Sequence, residues 1–237
     1  MEITSTQFHD AHTPKYDEGY QHPIMRIYDA ITWKYLQDFL PPDKDRARIL
    51  DAGGGTALWT IKLAQLGYRM TLTDISTGML KVAEEKIRRA GVQEKVTILI
   101  SDITDMKEFP DNHFDLSLAE GDPVSYCHDP ERAVAELSRV TRPGGHVTVS
   151  VDNKLGWVTR YTLVKDFAKA DRALREGIGM MPGDKPDEFY PAHLFTIEEL
   201  QELFRRHGLE PVRTAGKPVL SFTRESLDDP AIFPRAM

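Results

Sequence analysis

One stretch, Ile49-Leu50-Asp51-Ala52-Gly53-Gly54-Gly55-Thr56-Ala57, limits what this 237-residue chain can fold into more than any other. A short apolar run ends in an acid and three consecutive glycines follow. Leu58, Ile61, Leu63, Ala64 and Leu66 then recur at the spacing of one helix face. The pattern predicts strand, tight turn and helix, the opening unit of a doubly wound α/β domain. Glycine has no Cβ, so the backbone can turn sharply there and a ligand can come close to the peptide planes. Ligands of such folds lie beyond the carboxyl ends of the strands, which puts a binding site at this turn.

A dinucleotide does not suit that site. The fingerprint G-x-G-x-x-G begun at Gly53 needs glycine where the chain has Leu58, and begun at Gly54 it breaks at Thr56. Asp51 beside the turn would repel a pyrophosphate and favour a cationic ligand. The pattern Asp-x-Gly-x-Gly-x-Ala instead resembles the first motif of class I S-adenosylmethionine (SAM) dependent methyltransferases, whose cofactor carries a sulfonium and an ammonium. Ala57 stands where many members have a third glycine, a change of one methyl group. The resemblance implies a Rossmann-like sheet of seven strands, with Asp51, Ala52, Gly53 and Gly55 at the cofactor. S-adenosylhomocysteine would be the product.

Further residues extend the constellation. Residues 68–73 read as a second strand ending at Asp74, at about the distance from the turn expected of an acid that accepts from a ribose diol. Ile75 follows it, Ser76 suits a helix N-cap, and Met79 begins that helix's apolar stripe; the resemblance assigns Ile75 and Met79 to the cofactor as well. Residues 96–100 form a third strand closing on Asp102 and Ile103. In the resembled family an acid here accepts from the adenine amine and the next apolar residue packs on the ring; a turn-capping aspartate is the plainer alternative. A fourth strand, 114–119, leads into Glu120-Gly121-Asp122-Pro123-Val124-Ser125-Tyr126, which should border the sulfonium. Methylases of nucleic-acid bases carry Asp/Asn-Pro-Pro-aromatic there, and Val124 and Ser125 break that motif. Asp129 starts another helix, and Arg142-Pro143-Gly144-Gly145 turns into a fifth strand at 147–151, as is typical of the same methyltransferases.

The flanks are read more loosely. Residues 1–22 are polar; His9, His12 and His22 match no metal-ligand spacing, and a mobile arm is expected. A helix follows from Pro23 to about Phe39, stopped by Pro41-Pro42. With Tyr16, Tyr20 and Tyr28 upstream or within it, this leading helix resembles the N-terminal cap of the methyltransferases related to quinone biosynthesis, and Tyr20 is assigned to the cofactor on that ground. Residues 153–195 break the βα rhythm: an amphipathic helix from Trp157 to Ala168, then a Gly/Pro-rich loop (Gly177, Gly179, Pro182, Gly183, Pro186) and Tyr190-Pro191-Ala192-His193. An insertion at this point lies over the cleft in this fold, so a lid is expected. Thr196 caps a last helix, and Val212 with residues 219–222 would close the sheet. The chain therefore reads as one domain: arm and cap helix at 1–44, cofactor core at 45–152, lid at 153–195, and closing helix and strands at 196–237.

Composition narrows the partners. A formal net charge of −7 draws in no nucleic acid as a whole, and the basic clusters at Lys86, Arg88-Arg89 and Arg205-Arg206 read as solvated helix faces. One cysteine, Cys127, allows no intrachain disulfide and reads as a small buried filler. With no secretory leader pattern and no bilayer-length apolar run, a soluble cytoplasmic protein is expected. Methyl transfer from a sulfonium needs alignment and exclusion of water more than acid–base chemistry. A base is needed only for a protonated acceptor; His193, Asp122, Glu120 and Tyr126 are the candidates, Glu120 being assigned to the cofactor as well, and a helix-flanking polar residue is the plainer reading of His193. The expected function is methyl transfer from SAM to a small molecule. Transfer to tRNA or protein, a non-catalytic SAM-binding role, and a nicotinamide-dependent oxidoreductase, against which Leu58 and Asp51 stand, are the alternatives.

Overall fold

The structure, a computed structural model, describes residues 2–13, 16–19, 22–183, 185 and 187–217. Tyr20, Pro186 and the expected strand at 219–222 lie outside the described residues, as does the side chain of His12. The described chain divides into two compact units, one from residues 2–13 and the described part of 41–212, the other from 16–19, 22–40 and 213–217.

The chain opens not on an irregular arm but on helix α1 (Ser5–His12). Thr4 and Gln7 make a reciprocal capping box, with Gln7 N donating to Thr4 Oγ1 at 3.2 Å and Thr4 N to Gln7 Oε1 at 2.9 Å. The second unit holds α2 (Tyr16–Gly19) and α3 (Pro23–Leu36). His22 caps α3 through Nδ1, which accepts from Ile24 N at 3.3 Å, with proline at the first helical position as expected. Within this unit Lys217 donates to Thr32 Oγ1 at 2.7 Å, and its ammonium lies 4.5 Å from the centre of the Tyr28 ring.

The first unit carries five parallel strands, β1 (Arg48–Ala52), β2 (Arg69–Asp74), β3 (Val96–Ile100), β4 (Phe114–Ala119) and β5 (Thr141–Val149), in the spatial order β3-β2-β1-β4-β5. The order reverses between β1 and β4, which opens a crevice at their carboxyl ends. Helix α4 (Leu58–Gln65) follows β1, α5 (Thr77–Arg89) follows β2, and α6 (Pro123–Tyr126) and α7 (Pro130–Val140) follow β4. Alternation along β1 sends Leu50 and Ala52 into a core shared with Val134, Leu137 and Val140 of α7. Asp51 points to the opposite face, where α4 lies. Helices thus cover both faces of the sheet, the α/β architecture the sequence implies.

Three expectations change. Five strands, rather than seven, form the sheet among the described residues, with Val212 in irregular chain. The fifth strand starts at Thr141, not 147, because Thr141 already pairs with Phe114; His146 next pairs with Leu116, so residues 142–145 bulge out between them. The insertion is richer than one helix and a loop. It contains α8 (Lys154–Leu163), α9 (Phe167–Glu176) and an antiparallel hairpin of β6 (Ile178–Pro182) and β7 (Phe189–His193), before α10 (Ile197–Arg206). Lys165, at φ 61°, ends the first helix where a single one was expected. Gly179 serves close packing rather than a turn: a Cβ there would lie 3.1 Å from Leu194 Cδ2 and 3.2 Å from the Trp157 ring. Among the described residues no helix is long and apolar enough to cross a membrane.

Candidate functional site

The glycine turn lies at the carboxyl end of β1, against the reversal point of the sheet. Gly53 and Gly54 both donate to Thr73 O, at 2.8 and 3.0 Å, tying the turn to β2. Gly53 sits at φ 69°, and a Cβ there would come within 2.6 Å of Pro123 Cβ, so the loop after β4 presses directly on the turn. A Cβ on Gly54 would fall 2.4 Å from Leu72 Cδ1 and 2.7 Å from the Asp51 carboxyl. Ala57 is left-handed at φ 72° and fully buried, a backbone conformation that glycine adopts more readily than alanine. Ala52 is buried in the core, and only its backbone borders the turn.

Asp51 is fully buried. Its Oδ2 accepts from Thr60 Oγ1 at 2.6 Å and Thr60 N at 3.1 Å, whereas Oδ1 is buried without a hydrogen-bond partner. Burial pushes its pKa up to about 6, against the Thr60 bonds and with the Glu120 and Asp74 charges adding to the rise. Asp74 at the end of β2 accepts from Gly55 N through Oδ2 at 2.9 Å and from Ser76 N through Oδ1 at 2.8 Å. Burial raises its pKa too, opposed by the backbone N–H bonds of Ser76, Gly55 and Ile75 and aided by Asp10. Ile75 beside it is exposed, whereas Met79 is buried under the first turn of α5, its N–H donating to Ser76 Oγ at 3.1 Å.

At the end of β3, Asp102 Oδ1 accepts from both Thr104 N and Thr104 Oγ1 at 2.8 Å, the turn-capping arrangement. Its other oxygen faces His128 Nδ1 at 3.8 Å, and Ile103 is buried alongside. On the far side of the turn, Glu120 is nearly buried at the end of β4, and Asp122 follows at φ 66°, a left-handed aspartate. Ser150 Oγ holds this loop by accepting from Gly121 N at 2.9 Å and Asp122 N at 3.0 Å. Tyr126 has its pKa driven well above the ordinary tyrosine value, by burial first and then by Asp152 and Asp122. Asp152, just past β5, is raised by burial and then by Asp122, with the Tyr126 and Trp157 side chains hydrogen-bonding it; its Oδ2 is buried without a partner. Tyr126 stacks edge-on against Tyr190 with ring centres 5.6 Å apart.

His193 is not brought to this group. Alternation along β7 buries Tyr190 and Ala192 on one side and sends His193 to the other, into a groove with Asp129, Lys154 and Glu199. Burial lowers its pKa, with His128 acting the same way and Asp129 against. Cys127 is partly buried, and burial pushes its thiol up to about 12. The sequence reading missed Thr60, Asp152, Ser150 and the residues of α1. Of these only Asp152 carried a signal, an acid shortly after a parallel strand; the others come close only through folding.

The arrangement joins three acids, Asp51, Asp74 and Glu120, around a glycine turn with no room for a Cβ at Gly53 or Gly54, a cradle for a ligand bearing positive charge and hydroxyl donors. Residues 50–149 match the family described as methyltransferase domain. The ubiquinone/menaquinone biosynthesis C-methyltransferase UbiE of Psychromonas ingrahamii is 36% identical over an alignment of 145 positions that covers 55% of this chain and 57% of that protein. This chain thus spans little more than half the length of that relative. Among solved structures, a SAM-dependent methyltransferase from Methanosarcina mazei superposes with a TM-score of 0.61 at 23% identity, over 73% of this chain and 82% of that one. A phosphoethanolamine N-methyltransferase from Haemonchus contortus, determined with phosphomonomethylethanolamine and S-adenosylhomocysteine, gives 0.51 at 20% identity over 74% of this chain and 36% of that one. Both likenesses are of fold.

Proposed function

We propose that this chain, which carries a methyltransferase domain of the class I, SAM-dependent type, transfers a methyl group from SAM to a small-molecule acceptor. The observation that carries this is the buried acid set at the glycine turn, with the orphaned Asp51 Oδ1 and a turn where a Cβ at Gly53 or Gly54 would clash. When bound, SAM supplies a methyl group on a sulfonium, open to in-line attack. Asp74 uses one lone pair of each oxygen on backbone N–H groups and keeps the others for ribose hydroxyls. Asp102 Oδ2 and Ile103 suit an exocyclic amine and its ring. Glu120 and the field of buried Asp51 favour the positive charge.

On the acceptor side, the Tyr126 hydroxyl stays protonated at neutral pH and can donate to an acceptor oxygen, and Asp152, beside Asp122, can take a proton. The insertion at 153–195 supplies Trp157 and Tyr190 to this side, which supports a lid that selects the acceptor. The likeness to a C-methyltransferase of quinone biosynthesis supports a small carbon acceptor, and the single cysteine supports a cytoplasmic setting. Titration calorimetry with SAM and S-adenosylhomocysteine tests the cofactor half, with micromolar affinity expected. Mass spectrometry over a panel of small phenolic, carbon-acid and amine acceptors tests the transfer. No binding of either nucleoside refutes the proposal; binding with no methylated product refutes the catalytic part.

A further inference from the structure

We propose that helix α1 is a strap across the crevice, latched by Asp10, that must lift for the cofactor to come or go and that links the cofactor side to the acceptor side. The strap presupposes the cofactor position given above. It is fastened along its whole length. At its start, Ile3 N donates to Phe189 O at 2.9 Å, and Glu2 bridges the same residue of the β6–β7 hairpin. In its middle, the Phe8 ring lies 4.5 Å from the ring of Tyr190, and the His9 ring 6.1 Å from that of Tyr126. At its end, Asp10 Oδ1 accepts from the Ser76 hydroxyl at 2.5 Å and from Gly78 N at 3.3 Å. Ser76 is two residues past Asp74, and the Asp10 charge raises the Asp74 pKa, so the latch sits beside the carboxylate assigned to the ribose.

The close approach is built into α5. A Cβ on Gly78 would lie 3.1 Å from both Asp10 Oδ1 and Thr13 Oγ1, so a larger residue would force the latch to give by a few tenths of an ångström. The fastening is also light enough to open. Asp10 is exposed and Phe8 and His9 are only partly buried, so α1 has the few buried contacts of an element that opens locally rather than with the whole domain. Because the same helix touches Ser76, Tyr126 and Tyr190, closing it over a bound cofactor also sets the two tyrosines of the acceptor side.

Stopped-flow binding of S-adenosylhomocysteine, read by tryptophan fluorescence, tests this on the wild type, Asp10→Ala, Asp10→Asn, Phe8→Ala and Gly78→Ala. Hydrogen exchange of residues 5–12 is followed in parallel. Asp10→Ala removes the acceptor of two hydrogen bonds and should raise both association and dissociation rate constants about tenfold, with a smaller change in their ratio. Exchange of the α1 amides should quicken in step. Phe8→Ala and Gly78→Ala should act in the same direction, while Asp10→Asn, which keeps an acceptor oxygen, should stay nearer the wild type. Rate constants unchanged in Asp10→Ala and Phe8→Ala overturn the strap and leave the cofactor assignment standing. Absence of any binding to the wild type overturns both.

Discussion

Replacing Asp51 by Asn probes the electrostatics of the site without changing its shape. The carboxyl titrates at about 6, against an ordinary 3.8, because folding buries it completely. The folded state therefore holds the proton more tightly than the unfolded chain. Stability from this group is full below the unfolded pKa and is lost as pH rises through 6; at 1.36 kcal/mol per pH unit the loss reaches about 3 kcal/mol. Asn keeps the acceptor for Thr60 and cannot ionise. Its amide also leaves a donor where Oδ1 has no partner, a constant cost of about 1–3 kcal/mol that does not depend on pH. The stability difference between variant and wild type should therefore shift by about 2–3 kcal/mol in favour of Asn between about pH 4 and about pH 8. For a chain of this size that is a relative change in melting temperature of roughly 5–10 °C. Urea unfolding or calorimetry of both proteins at the two pH values reads it directly. Parallel pH profiles would refute a buried, high-pKa carboxyl at the turn.

Gly53→Ala should cost about 2–4 kcal/mol in a urea melt, from left-handed backbone strain and overpacking against Pro123 together, and a loss under 1 kcal/mol would deny the close approach of the two loops. Asp74→Ala should weaken S-adenosylhomocysteine binding by about 1–3 kcal/mol in calorimetry, whereas equal affinity would remove the ribose role. The His193 imidazole should titrate below 6.5 in an NMR pH series, since burial disfavours its cation, and a midpoint above that value would contradict its surroundings. Tyr161→Phe should destabilise the insertion by about 1 kcal/mol, because its hydroxyl accepts from Met180 N at 2.8 Å and so joins α8 to the hairpin; no change would mean that bond carries nothing.

Much of the core was legible because its signals are local. The glycine run specifies a turn, strands β2 to β4 fall where apolar runs end in acids, and Ser76, Asp129 and Thr196 cap helices as their types require. The insertion was misread because its glycines and prolines suit loops as well as a hairpin; strand pairing, which no single stretch encodes, decided between them. The arm at the start was misread for a similar reason: a polar octet looks mobile until Asp10 finds Ser76, 66 residues on.

By itself, then, the sequence determined where the strand ends are and which of them carry acids, since periodicity and residue chemistry act over a few positions. Only the tertiary structure decided what those acids do. Thr60 turns Asp51 inward and strips it of water, backbone N–H groups half-occupy Asp74, and α1 reaches across to the same strand ends. Burial and charge coupling depend on the three-dimensional neighbours of a group, and packing brings those neighbours from anywhere along the chain.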